Sequence, residues 1–168
     1  MGLIIKDKIP MLKKGYPTVS DKYNVTGGIL AGTEVGHWGQ LVKAATTAGY
    51  YAPVTTTNTI SAVTDVMGII LATNVKVADF TTGEVVVNPG EAFNLFINGF
   101  IAVELAATAT VANVVANAPV YVTAAGAFTD SADANKLAAA LPNTVYTGVV
   151  ENHGTTAAPV YYAEIYVK

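Results

Sequence analysis

The chain has two histidines, His37 and His153, far apart in sequence and each beside glycine. Glu34 precedes His37 at a spacing that could share a metal, but no further ligand accompanies the pair, and a zinc site needs a fuller set. Carboxylates pair at Asp130 with Asp133 and at Glu84 with Glu91. Two carboxylates can divide acid and base roles in glycoside hydrolysis only at a defined separation across a cleft. Both pairs lie in polar, loop-like sequence, where solvated carboxylates are expected. A calcium loop at Asp130/Asp133 would need a regular acidic ladder, which is missing. Ser20, Ser61 and Ser131 lack the Gly-x-Ser-x-Gly elbow, and neither a P-loop nor a dinucleotide fingerprint occurs. Cysteine is absent, which excludes thiolate nucleophiles, disulfides and cysteine metal sites. The expectation is no catalysis, no cofactor and no metal, with His37-Trp38 serving packing or a contact surface.

The elements that would carry such a surface read as strands. A pattern of glycine turn, aromatic-bearing strand, variable loop and aliphatic strand with a central glycine occurs twice. It runs from Gly49-Tyr50-Tyr51-Ala52-Pro53 to Val66-Met67-Gly68-Ile69-Ile70-Leu71, and from Gly126-Ala127-Phe128-Thr129-Asp130 to Thr144–Glu151. A further strand follows each pass, Phe93–Leu105 and Pro159–Val167. Mid-strand glycine marks a bulge, a bend or a close backbone approach, so Gly68 and Gly148 point to curved strands of a small barrel or sandwich. Asn98-Gly99 suits a tight hairpin or a bulge within one long strand. The best helix candidate is Ser131–Leu141, with Ser131 as N-cap and Pro142 as stop. The chain therefore reads as all-β, a small β-barrel or β-sandwich with a duplicated strand pattern and a minor helix at most.

Composition narrows the partners. Charged residues make up 12% of the 168-residue chain, with net charge −3, well below the usual share of roughly a quarter. Either part of the surface is covered by something else, or it is polar without charge. All nine basic residues are lysine; without arginine's planar fork or a basic stripe, no nucleic-acid partner is expected. Residues 105–129 are uncharged but interrupted by Thr108, Thr110, Asn113, Asn117 and Pro119, so no membrane partner is expected either. Lys6, Asp7 and Lys8 break the first apolar run before it makes a secretory signal, and synthesis in a cytoplasm is the default expectation.

Residues 1–26 differ from the 27–168 body, which reads as one β unit or as two lobes, about 27–105 and 106–168. Five of the nine lysines lie in this first stretch, and Pro10 and Pro17 prevent a long helix. It is either an untidy terminus or an arm that orders on a partner. In the second case Lys6, Ile9, Met11, Leu12, Lys13, Lys14 and Tyr16 are the contact candidates, with His37 and Trp38 from the body. Leu3-Ile4-Ile5 could equally fill an edge position in its own sheet.

The order of elements resembles the capsid decoration and structural cement proteins of tailed bacteriophages. The residues that carry this are Ala31-Gly32-Thr33-Glu34-Val35, Gly49–Pro53, Val66–Leu71, Phe93 through Gly99 to Leu105, Pro119–Gly126 and Thr147–Glu151. The resemblance implies a non-enzymatic virion protein on the capsid exterior that binds major capsid protein and bridges its neighbouring subunits. Low charge and β-rich composition add the expectation of a homo-oligomer, a trimer ahead of a dimer. The rival reading is a carbohydrate- or surface-binding β-domain of a fibre, using Tyr50-Tyr51 and Tyr161-Tyr162 as stacking platforms.

Overall fold

The computed structural model describes residues 12–18, 23–72 and 86–168. Among these residues are eleven strands: β1 (Tyr23–Leu30), β2 (Gly36–His37), β3 (Leu41–Ala44), β4 (Tyr50–Pro53), β5 (Val66–Ile70), β6 (Val86–Val87), β7 (Ala92–Glu104), β8 (Tyr121–Val122), β9 (Phe128–Thr129), β10 (Thr144–Asn152) and β11 (Tyr161–Val167). The main sheet runs β1-β4-β3-β5-β7-β11-β10, and β1 also pairs with β7. That extra pairing closes β1, β4, β3, β5 and β7 into a five-stranded barrel, which removes their open edges. β7 belongs to both parts: Ala92–Gly99 pairs with β1 inside the barrel, and Gly99–Glu104 pairs with β11 outside it. Asn98-Gly99 is thus not a hairpin. It lies where one long strand passes from one partner to the next.

Side chains alternate across a strand, and here both faces of the central strands are buried. Leu30, Val42, Ile70, Phe93 and Leu95 form one apolar cluster. Their neighbours Leu41, Ile69 and Phe96 turn the other way, into a larger cluster with Val122, Phe128, Tyr146 and Ile165. Two-sided burial explains why β5 and much of β7 read as near-continuous apolar runs. The second copy of the strand pattern builds no barrel of its own; β10 and β11 continue the first one's sheet through β7.

Both repeated glycines mark ladder irregularities. Val42 faces Gly68 and Lys43 faces Val66, so Met67 is skipped. Tyr146 faces Ile165 and Val150 faces Ala163, which leaves three residues around Gly148 opposite one. Gly148 has φ +89°, and a Cβ there would lie 3.0 Å from the Ala116 nitrogen, so no other residue fits without strain.

The helix expected over Ser131–Leu141 does not form; among the described residues helical geometry is confined to the 3₁₀ turns Val63–Asp65 and Val111–Asn113. Asp130 and Asp133 instead accept from the N–H groups of Ala132 (3.1 Å) and Asn135 (2.8 Å), the local turn that competes with helix. The Leu137 and Leu141 N–H groups then donate to the carbonyls of Val122 and Val120 (both 2.8 Å). Tertiary pairing outweighs alanine's propensity.

The boundary drawn at residue 26 falls inside β1. Upstream, Leu12–Thr18 lies on the body: Gly15 N–H donates to Ala102 (2.8 Å), Ala102 N–H to Tyr16 (3.1 Å) and Thr18 N–H to Phe100 (3.1 Å). Ile101 has Ile165 on one side and Pro17 on the other. Removal of residues 1–22 would therefore strip a strand-like partner from β7.

Candidate functional site: a surface where the N-terminal segment meets the barrel

Residues 12–14 cross the face of the outer sheet. Glu104, Tyr162 and Glu151 stand in one cross-strand row on β7, β11 and β10. Lys14 Nζ lies 2.8 Å from Glu104 Oε2, and the Leu12 N–H donates to Glu151 Oε2 at 3.0 Å. His153 stacks on Tyr162 with ring centroids 4.2 Å apart, and its Nε2 is 3.2 Å from Glu151 Oε2. Leu12 is 1% exposed. Its side chain is thus committed to the chain's own packing, and a partner could reach it only if the segment lifted away.

The next residues meet the turn after β2. Gly15 sits so close to it that a Cβ would lie 2.6 Å from the Gly39 nitrogen and 2.8 Å from Trp38 Cβ, and its φ is +77°. This approach sets Tyr16 edge-on to Trp38, centroids 5.4 Å apart, with Lys13 Nζ 5.9 Å from the Tyr16 ring centre. His37 is held by its backbone: β2 pairs it with Val86, and its N–H donates to Gln40 Oε1 at 2.9 Å. A cleft of about 300 Å³ beside this patch is lined by Lys14, His37, Gln40, Glu104 and Phe128 among others. The fold thus gathers Lys13, Lys14, Tyr16, His37 and Trp38 from two separate stretches onto one surface, with Leu12 beneath. Lys6, Ile9 and Met11 lie outside the described residues.

The chemistry-bearing residues have structural employment. Glu34 accepts from the hydroxyls of Thr55 and Thr57, which hold its carboxyl below the ordinary value. Glu91 accepts the Asn88 N–H (2.7 Å) across the Pro89-Gly90 turn; Glu84 lies outside the described residues. Asp130 and Asp133 are not solvated as expected but buried, at 1% and 5% exposure. Asp130 accepts from Asn113 Nδ2 (2.6 Å), Thr110 N–H (3.0 Å) and Ala132 N–H (3.1 Å). Asp133 accepts from the hydroxyls of Thr108 (2.6 Å) and Thr129 (2.7 Å). Burial alone would raise both carboxyls; these donors outweigh it and hold both below the ordinary value. Tyr146, fully buried, donates to the Thr129 carbonyl at 2.8 Å, and burial with Asp130 nearby pushes its phenol well up. Sequence inspection missed this clasp because nothing local distinguishes a buried Asp-x-x-Asp from a solvated one. Among the described residues no group of three or more His, Asp or Glu could hold a metal.

Nor do the tyrosine pairs form platforms. Tyr50 is exposed, but Tyr51 packs edge-on to Phe93 (6.1 Å), Tyr161 packs on the main core, and Tyr162 is stacked by His153.

A closed barrel with buried, self-satisfied carboxylates and a patch built partly from the chain's own leading segment has the make-up of a structural scaffold. The family comparison agrees: residues 9–166 match the model described as "Structural cement protein (E217 gp24/Pam3 gp6)". The chain belongs to this phage structural cement family, a structural and not an enzymatic class, and membership implies a place on the virion capsid in contact with capsid proteins. A chain in the solved structure "The capsid of Myoviridae Phage XM1" shares the fold, with TM-score 0.53 and 20% identity over 90% of this chain and 88% of that one. No curated protein matches the chain.

Proposed function

We propose that the chain binds the outside of a phage capsid as a homo-oligomer, a trimer ahead of a dimer, and bridges neighbouring major capsid protein subunits. The contact surface is the patch of Lys13, Tyr16, His37 and Trp38 together with the preceding segment that carries Lys6, Ile9 and Met11. The convergence of residues 13–16 with residues 37–38 on one surface supports this reading most. Cement acts by burying surface on several subunits at once, so that modest contacts add through avidity. An aromatic anchor beside aliphatic stems and lysines suits such contacts, because Trp and Tyr supply large area at little entropic cost.

The test uses capsids lacking the protein, with full-length chain added back. Trp38→Ala should weaken retention by on the order of tenfold or more, as truncation of an interface aromatic commonly costs about 2 kcal/mol, and should lower the temperature at which decorated particles rupture. Removal of residues 1–11, which leaves Leu12–Thr18 in place, should weaken retention further. Wild-type retention and particle stability in both variants would overturn the assignment.

A further inference from the structure

We propose that an apolar cleft between the barrel and the outer sheet, rimmed by Met67 and Ile97, receives the Leu3-Ile4-Ile5 segment of a second copy of this chain and links copies head to tail. The inference rests on the docking-arm reading above and gives the arm a receptor. The cleft measures about 130 Å³ and is lined by Ile69, Phe96, Leu141 and Ile165 among others. Small-molecule sites run to roughly 300–1,000 Å³; an apolar cavity of about 150 Å³ holds one benzene-sized group. The space therefore suits an aliphatic side chain. No charged residue lines it, and its Thr144 hydroxyl already donates to the Pro142 carbonyl (2.9 Å).

Two bulges build the rim. Met67 is skipped in the β3–β5 ladder and Ile97 in the β1–β7 ladder, where Val25 faces Phe96 and Asn24 faces Asn98. Bulges re-aim side chains, and here they leave Met67 and Ile97 exposed at 45% and 43%, among the most exposed large apolar residues described.

Chain direction favours a second copy, because the segment leaves Leu12 heading away from its own cleft and would have to reverse to enter it. Followed backwards from Thr18, the segment runs along β7 from Phe100 to Ala102, reaches Glu104 through Lys14 and crosses to Glu151 at Leu12. It heads away from Ile97, which lies seven residues back along β7, or about 23 Å at roughly 3.3 Å per residue. Leu12 and the cleft thus lie at opposite ends of the sheet, the geometry of a heterologous contact that makes rings or open chains. The residues before Leu12 carry Leu3, Ile4, Ile5, Ile9 and Met11, and an extended run of that length reaches about 36 Å.

The chain has no native cysteine, so disulfide trapping reads the contact directly. An Ile4→Cys chain is mixed with a Met67→Cys chain under mild oxidation, in solution and on decorated capsids. In at least one setting the mixed disulfide should form on the order of ten times faster than between Ile4→Cys and a Thr46→Cys control on an exposed loop, because docking raises the local thiol concentration. Adding Ile97→Asp to the Met67→Cys chain should abolish the advantage. Control-level pairing in both settings overturns the proposal. So does a chain carrying both cysteines that closes on itself at a rate independent of dilution. If removing residues 1–11 costs capsid retention while trapping stays at the control rate, the arm docks on the shell protein instead; this inference then falls and the functional reading stands.

Discussion

Asp130→Asn tests whether the buried carboxylates clasp the loops that hold the second half of the fold. Asp130 Oδ1 accepts the Thr110 N–H, and Oδ2 accepts both the Ala132 N–H and Asn113 Nδ2. Asparagine offers one oxygen where aspartate offers two. Whichever way its amide sits, at least one of the two backbone N–H groups faces an NH₂ donor in a site that is 1% exposed. An unsatisfied buried donor costs about 1–3 kcal/mol, and the surviving bonds lose their charge assistance, so a destabilisation of about 2–4 kcal/mol is expected. For a chain of this size each kcal/mol moves Tm by roughly 2–4 °C, which places the variant roughly 5–15 °C lower at pH 7. The pH dependence has a definite sign. Desolvation raises the Asp130 carboxyl, but the bonds from Asn113, Thr110 and Ala132 outweigh it, and the folded value lies below the ordinary one. Its contribution is therefore complete above the unfolded value of about 4 and fades as pH falls through the folded value. The wild-type and Asp130→Asn melting curves should separate fully at pH 7 and converge below about pH 4, with Asp133 cancelling because both proteins carry it. Scanning calorimetry across that range measures both effects. An unchanged Tm at pH 7, or a gap that stays constant into acid, would refute the clasp.

Leu12→Ala should cost about 2–5 kcal/mol by opening a cavity beneath the segment, whereas removal of residues 1–11 should leave thermal unfolding nearly unchanged; denaturant titration separates the two. Gly15→Ala should release Leu12–Thr18 from β7, because its Cβ would overlap the Gly39 backbone at a positive φ, and limited proteolysis near Lys13-Lys14 should speed up in that variant. Tyr146→Phe leaves the Thr129 carbonyl without its 2.8 Å donor and should lower stability by about 1–2 kcal/mol in chemical unfolding. Glu104→Gln should change stability by less than about 1 kcal/mol, because the Lys14 pair it breaks is partly exposed.

How much of this was legible in the sequence depends on whether the deciding interaction was local. Strand positions around Gly49, Gly68, Gly126 and Gly148 follow from glycine and aliphatic patterning, and the all-β class with them. Barrel closure does not, because it depends on β1 returning to β7 about seventy residues on, a pairing no local signal encodes. Ser131–Leu141 shows the reverse failure. Its cap residue Ser131 and its stop at Pro142 argued for helix, while distant Val120 and Val122 took the backbone donors. The residues of the proposed contact patch were half visible: lysines, prolines and apolar positions flagged the leading segment, and Gly36-His37-Trp38-Gly39 flagged the turn. That Gly15 lies against Gly39, and so makes one surface of two, is a tertiary fact.

The low charge has two sources that sequence inspection could only weigh against each other. Exposed Asn24, Thr26 and the Thr55–Thr59 loop give an uncharged polar surface, while Val25, Met67 and Ile97 give an apolar one. Of the acidic charges that remain, Asp130 and Asp133 are buried and others are hydrogen-bonded within the chain while still partly exposed. Glu34, Asp65, Glu91, Glu104, Asp130, Asp133 and Glu151, seven of the twelve acidic residues, each accept from the chain's own donors. A carboxylate committed in this way has already given up part of its hydration, and the charge left for solvent is smaller than the composition suggests. Docking then removes little ion solvation, so more of the apolar contact energy survives as affinity. The proposed role, binding repeatedly over a closed shell through modest contacts, is served by that arrangement.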